Sequence, residues 1–520
     1  MKRCLIICAV VLAAASALAL RLPQLALRPM HTDEAVHAVK FGELLEEGRY
    51  RYDPYEYHGP TLYYFTLLSA WLSSAENFSE VTEVTLRIIP VIFGVGTVVL
   101  LLLLADGLGR GAAIGGALLT AISPAMVFYS RYYIHETLLV FFGFLVIAAA
   151  WRYSRSGSTG WLLLAGAGVG LMHATKETCI IAFSAMFAAL LIVKILNRVP
   201  GQKGPPDKSA IKVKTKPLIA ALIAALLVSF TLFSSFFTHL SGPWDSLAAY
   251  CAYFHRADTA VGHHHPWYYY LKMLIFTKND LGPWWSEGLI VILSMAGLCA
   301  AVIGKGAAKS NIRLLRFLVF YTLIMTAAYS IIPYKTPWCL LGFWHGMIIL
   351  AGVGAAALVR MMPFIAGRAA ICLLLIAGVA QLTYQSYRVS FRFFDDPRNP
   401  YVYAHTISDT VRLAKLIQDT ASAHPAGNNI PIKVIAEPDN YWPLPWYFRR
   451  FGRVGYWHER PAQIQAPIVI ASDSLRPPVE KNLPGAYHYE IFGLRPNVIL
   501  HVYIQKDLWD AYLKSKRNPR

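Results

Sequence analysis

Apolar positions in this chain mostly run on without a break, where an amphipathic helix or strand would alternate them with polar ones. Stretches of about 15 to 22 apolar residues recur along the first three quarters, most of them long enough to cross a hydrocarbon core of about 30 Å. They fall near residues 4–20, 86–104, 111–129, 137–151, 160–175, 178–196, 217–238, 287–304, 314–332, 338–359 and 369–386. The pattern predicts about eleven transmembrane helices within residues 1–386.

Between the first two runs the rhythm changes. "DEAVHAVKFGELLEEGRY" sets Val36, Val39, Phe41, Leu44 and Leu45 against Glu43, Glu46 and Glu47, a helical repeat with one apolar face. "TLYYFTLLSAWL", Thr61 to Leu72, is apolar but short for a span, which predicts a helix at the membrane interface. Residues 21–85 thus read as a long first outer loop carrying interfacial helices. From residue 387 the apolar runs shorten to strand length in "IKVIAE" (Ile432–Glu437), "APIVIAS" (Ala466–Ser472) and "VILHVYIQ" (Val498–Gln505), with a helix expected at "DTVRLAKLIQDTA" (Asp409–Ala421). Residues 387–520 are expected to form an α/β domain outside the membrane. The fold class is an α-helical polytopic membrane protein with a C-terminal extracytoplasmic α/β domain.

Composition agrees: of 520 residues 56% are hydrophobic and 15% charged, against about a quarter charged in a soluble globular chain. The formal charge of +18 does not point to nucleic acid, because Lys and Arg cluster between the apolar runs, where they orient the chain and meet lipid headgroups. With Lys2 and Arg3 inside, every inside loop is basic: Arg110; Arg152 and Arg155; the stretch from Arg198 to Lys216; Lys305 to Arg316; Arg360 and Arg368. The opening run fits an uncleaved anchor better than a cleaved signal peptide, being long enough to span. Seven cysteines without a CxxC pair imply neither a disulfide framework nor a zinc site.

This topology gathers the polar motifs on the opposite, outer face: "HTDEAVH" with adjacent Asp33 and Glu34, "SRYYIHE" with Arg131, His135 and Glu136, "HATKE" with Lys176 and Glu177, "HRADTAVGHHHPWYYY", and "PYKTPW" with Lys335. Asp33 and Glu34 would point about 100° apart on a helix, so one can act while the other braces or caps, and the bland reading is a helix start capped by Thr32 or Asp33. Glu136 abuts a span, where a carboxylate needs a partner or solvent. Lys335, alone in a short outer loop, invites an anion. The run His263 to His265, near His255 and Asp258, cannot all turn to one ion and reads as an interfacial loop or substrate contacts.

Collected together, these motifs resemble the GT-C superfamily of glycosyltransferases that use polyprenyl-phosphate-linked sugars, in the branch of protein mannosyltransferases and lipid A aminoarabinose transferases. More narrowly, "HTDEAVHA", "YHGPTLYY", "KTPW" and "YWPLPWY" are similar to membrane proteins called flippase-activity-associated and linked with N-glycosylation. The resemblance implies inverting transfer of a sugar to a glycan, lipid or protein acceptor at the extracytoplasmic face of the plasma membrane. Asp33 would be the base, Glu34 a supporting acid, and Glu136 a second acid orienting donor or acceptor. By charge and side, Arg131, Lys176 and Lys335 are the expected phosphate ligands, with Tyr57, His58, His135 and Glu177 as substrate contacts. No glycine-rich nucleotide fingerprint is present, which argues against ATP or NAD; no cofactor is required by the motifs, and a divalent metal is left open. The alternative is a flippase or flippase accessory without transferase activity, which should carry ionisable groups deep in several spans.

Overall fold

The computed structural model describes residues 2–55, 58–198, 214–259, 263–303 and 310–517. Eight of its helices are long and apolar enough to cross a membrane: Cys4–Arg21, Glu83–Leu108, Glu136–Ser156, Cys179–Leu196, Thr215–Phe233, Ile312–Ile331, Pro337–Met361 and Ile365–Phe391. Three shorter apolar helices, Arg110–Ile122, Thr159–His173 and Gly288–Ile303, occupy the remaining predicted runs. The run at 111–129 is cut because Pro124 disfavours helical backbone at the residue before it; Ser123 is extended and caps the next turn, its Oγ 3.4 Å from the Met126 amide. Small residues let the bundle close, as where Gly297 and Gly354 bring Gly288–Ile303 against Leu341–Met361 so tightly that a Cβ on either would strike a backbone oxygen.

Both helices predicted within residues 21–85 form. We call Thr32–Glu47 α1 and Thr61–Leu72 α2. In α1 the buried face carries Glu34, His37, Phe41 and Leu44, while Glu43, Glu46 and Glu47 are exposed. Gly48 ends it in the left-handed region (φ 69°), its amide bonded to the Leu44 carbonyl, a geometry that costs glycine little. The start differs from expectation: the cap is His31, whose Nδ1 accepts the Asp33 amide at 3.1 Å while the Glu34 carboxylate accepts the His31 amide at 3.1 Å. This reciprocal capping box uses up Glu34 at the backbone and leaves the Asp33 side chain free to point elsewhere.

The C-terminal segment builds a five-stranded sheet in the order β2-β1-β3-β5-β4, with β1 Ile432–Ile435, β2 Val454–Trp457, β3 Ile468–Ser472, β4 Tyr487–Arg495 and β5 Val498–Gln505. Strands β2, β1 and β3 are parallel; β5 and β4 are antiparallel. Helix Asp409–Ser422 covers one face, placing Leu413 and Ile417 against Ile432, Val434, Ile468 and Ile470. Strands β2 and β4 escape the sequence reading because both lie on the edges and neither carries an unbroken apolar run.

This domain packs on the first loop. Tyr447 Oη accepts the Met30 amide at 2.9 Å, Trp446 Nε1 donates to Glu83 at 3.0 Å, and the Arg449 guanidinium donates to the Val81 carbonyl at 2.8 Å and stacks on Trp446. The sheet domain is therefore held over the start of α1.

Candidate active site

The two adjacent carboxylates of α1 have opposite surroundings. Glu34 is fully buried. Its oxygens accept from Arg87 Nε and an Arg87 terminal nitrogen at 2.8 Å, from Arg28 at 2.9 Å and from the Tyr133 amide at 2.8 Å. Burial alone would raise Glu34, but Arg28 and Arg87 hold it far below the usual carboxylate range. The arginines are fixed in turn: Arg87 donates to the carbonyls of Leu25 and Arg28 at 2.6 and 2.8 Å, and Arg28 lies 3.3 Å from the Tyr132 ring centre. Glu34 thus joins the exit of the first span, the span beginning at Glu83 and the 131–135 turn.

Asp33, one residue earlier, keeps 44% of its side-chain surface exposed, with His31 Nδ1 3.8 Å from its Oδ1. Among the described residues its carboxylate accepts no hydrogen bond. It looks into a cup of rings. His31 stacks on His405 at 5.5 Å and meets Trp338 at 5.5 Å; His263 Nδ1 pairs with Tyr403 Oη at 2.8 Å and its ring lies 4.9 Å from Tyr334. The charge of Asp33 is felt at both His263 and Tyr334.

The "HHH" and "PYKTP" motifs come together, the Lys335 amide donating to His263 O at 2.9 Å and the His265 amide to Pro333 O at 3.1 Å. Lys335 is buried, its ammonium donating to Ile332 O and, at 3.2 Å, to His265 O. Among the described residues one N–H of that ammonium has no acceptor.

A second polar cluster lies one turn further along α1. His37 packs edge-on against His135 at 4.7 Å, and His58 lies 5.3 Å from His135. His58 Nδ1 bonds Glu177 at 2.9 Å and Tyr52 Oη donates to Glu177 at 2.7 Å. Burial would raise Glu177, but the His58 and Tyr52 bonds bring it down to about 2. Burial likewise pushes His37 and His135 well below the usual histidine value, so both are neutral at pH 7. Lys176 is ion-paired with Glu136, both nearly fully buried. Burial would lower Lys176, but the Glu136 carboxylate raises it, so it stays charged. Gly59 makes this assembly possible: its amide donates to Thr175 O at 3.1 Å, and a Cβ there would lie 2.2 Å from the Ala174 carbonyl oxygen. Tyr334 feels both Asp33 and Lys176, linking the two clusters electrostatically.

Arg131, expected on the phosphate, instead donates to the carbonyls of Arg21, Pro23 and Gln24 at 2.6 to 3.0 Å and closes the turn after the first span. Burial, with neighbouring arginines, brings it down to about 9. Tyr57 lies outside the described residues. Among the described residues no three His, Cys, Asp or Glu side chains are grouped to hold a metal ion. Sequence reasoning missed Arg28, Arg87, Tyr403 and His405. Arg87 alone left a signal, as an arginine inside the apolar run "TLRIIPVIF".

Solved structures share this architecture. ArnT from Cupriavidus metallidurans bound to undecaprenyl phosphate superposes with a TM-score of 0.63 at 15% identity, covering 95% of this chain and 97% of that one. The Archaeoglobus fulgidus oligosaccharyltransferase gives 0.56 at 14% identity, over 99% of this chain and 78% of that one. The fold is the GT-C fold. Within that class, residues 18–240 match the family model of dolichyl-phosphate-mannose-protein mannosyltransferases. Protein O-mannosyl-transferase 1 of Mus musculus is 29% identical over 190 residues, which is 33% of this chain and only 24% of that relative's length. These matches support the mannosyltransferase-like group at large and do not reach the narrower flippase-associated subgroup.

Proposed function

We propose that the protein transfers a sugar from a polyprenyl-phosphate-linked donor to an acceptor at the extracytoplasmic face of the plasma membrane. The observation that carries this reading is the free, partly exposed Asp33 carboxylate set in a ring-lined cup beside buried cations, on the fold of known lipid-linked glycosyltransferases. Asp33 takes the proton of the acceptor hydroxyl as its oxygen attacks the anomeric carbon; the bond from that carbon to the phosphate oxygen breaks, and the configuration inverts. Lys335 offers its remaining N–H to the leaving phosphate. Lys176 serves the same charge once the phosphate competes with Glu136 for it, which frees Glu136 to accept from a sugar hydroxyl. His58, His135 and Glu177 shape the wall beyond, with Tyr57 as a further sugar contact. Glu34 and Arg131 hold the cup in shape without touching the reacting atoms. The acceptor is a glycan, lipid or protein.

The test is transfer from a defined polyprenyl-phosphate-mannose in nanodiscs, with release of polyprenyl phosphate followed directly. Release that depends on Asp33 supports the reading. Movement of the intact lipid-linked sugar across the bilayer without release would favour the flippase alternative.

A further inference from the structure

The winding of the C-terminal sheet reverses about β1. The chain passes from β1 to β2 on one side, then crosses to β3 on the other, the three strands running parallel. Loops leaving β1 and β3 in opposite directions part over the strands' carboxyl ends, which is where open parallel sheets form a ligand-binding crevice. No residue of the Asp33 site lies in it.

Polar groups converge on this crevice. Glu437, just past β1, accepts from Ser474 beyond β3 and from Asn440 Nδ2 at 3.1 Å; Ser472, the last residue of β3, sets its hydroxyl 3.1 Å from that of Ser474. Partial burial would raise Glu437, but the serine and asparagine bonds bring it to about 2, so it is a carboxylate. Asp439 and Asp473 stand exposed on either side. One wall is aromatic. The Tyr441 ring stacks with His458, the residue after β2, at 5.8 Å and 18°, and meets Tyr456 at 5.0 Å and Trp442 at 5.7 Å. Arg495 pins that wall through the carbonyls of Asp439 and Trp442. Six residues after Tyr441, Tyr447 bonds the amide of Met30, the residue before His31.

This set discriminates between ligand classes. Three carboxylates outnumber the one guanidinium, Arg495, so a phosphate or any other anion is disfavoured even though Asp473 pairs with His501 Nε2 at 3.0 Å. An ionised carboxylate beside amide and hydroxyl groups accepts paired hydroxyl donors, and an aromatic face packs against the C–H face of a pyranose. We propose that the crevice over β1 and β3, with Glu437 and Asn440 as its polar floor and Tyr441 and His458 as its wall, binds a neutral glycan. The site stands independently of the chemistry at Asp33.

The test uses the full chain in nanodiscs and mannotetraose as probe, followed by saturation-transfer NMR and titration. Saturable binding is expected, weakened about tenfold or more by Glu437→Gln and by Tyr441→Ala, and unchanged by Asp33→Asn. Tyr441→Ala leaves the carboxylate in place and carries the test if Glu437→Gln does not fold. Absence of saturable binding, binding indifferent to both crevice variants, or binding lost in Asp33→Asn would overturn the proposal. So would a thermal shift with calcium alone that Glu437→Gln abolishes, since it would assign the carboxylates to a cation.

Discussion

In the first turn of α1, Glu34 is buried between Arg28 and Arg87, while Asp33 keeps nearly half of its side chain open to the cup. The two are chemically alike and adjacent, yet the helix turns them about 100° apart, and that angle gives one a buried ion pair and leaves the other partly exposed. On the Glu34 side, two guanidinium groups and two backbone amides satisfy every strong acceptor position, which makes a rigid joint and leaves no reactivity. On the Asp33 side no hydrogen bond is donated to the carboxylate among the described residues, which leaves it available to accept a proton. The joint explains why the neighbour can be held at a fixed place: the Glu34 carboxylate accepts the His31 amide, and the His31 ring accepts the Asp33 amide.

The largest effect should come from breaking the joint. Glu34→Ala leaves two buried arginines without their carboxylate and should cost about 3–5 kcal/mol, seen as a large loss of thermal stability or failure to accumulate folded protein. A variant of wild-type stability would show that the arginines find other partners. Asp33→Asn should leave stability within about 0.5 kcal/mol of wild type in the same measurement, which sharpens the contrast.

Next in size is Gly59→Ala. Its Cβ meets the Ala174 carbonyl at 2.2 Å, so the 58–61 segment must move off the 174–177 turn, at a cost of about 1–3 kcal/mol. Transfer should fall, because His58 loses Glu177, whereas the Glu34 joint should survive; thermal denaturation and turnover measured together separate the two.

The smallest effect is that of acid. His37, His135 and His405 are buried and neutral, with values pushed down by burial, so their contribution to stability is complete above the ordinary histidine value near 6.5 and declines as pH falls below it. Glu177, held at about 2, loses its contribution only below the ordinary glutamate value near 4.3. Thermal stability should therefore fall modestly between about pH 7.5 and about pH 5, before any carboxylate is lost. A rise over that interval would contradict the neutral histidines.

Much of this was legible in the sequence because it is local. The membrane helices follow from apolar run length, α1 and α2 from a helical repeat and a short apolar stretch, and β1, β3 and β5 from apolar strand-length runs. The edge strands β2 and β4, half-buried, carry no such signal. At the site, Asp33, Glu136, Lys176 and Lys335 stood out as charges beside apolar segments. Which of them are already paired did not. The bonds that commit Glu34 to Arg87 and Arg131 to Arg21 join residues 53 and 110 apart, and His405 reaches Tyr132 across 273. Such pairings depend on how helices pack, which one sequence read along its length does not state. The same holds for the crevice at Glu437, made by loops that meet only because the strand order reverses.

The central claim is that Asp33 alone of the pair does chemistry. Single-turnover transfer from polyprenyl-phosphate-mannose, measured with Asp33→Asn in nanodiscs beside the wild type, tests it most directly. Loss of about 10²–10⁴-fold in rate, with donor binding and thermal stability retained, is the result expected of a missing general base. Transfer by Asp33→Asn at the wild-type rate would contradict it.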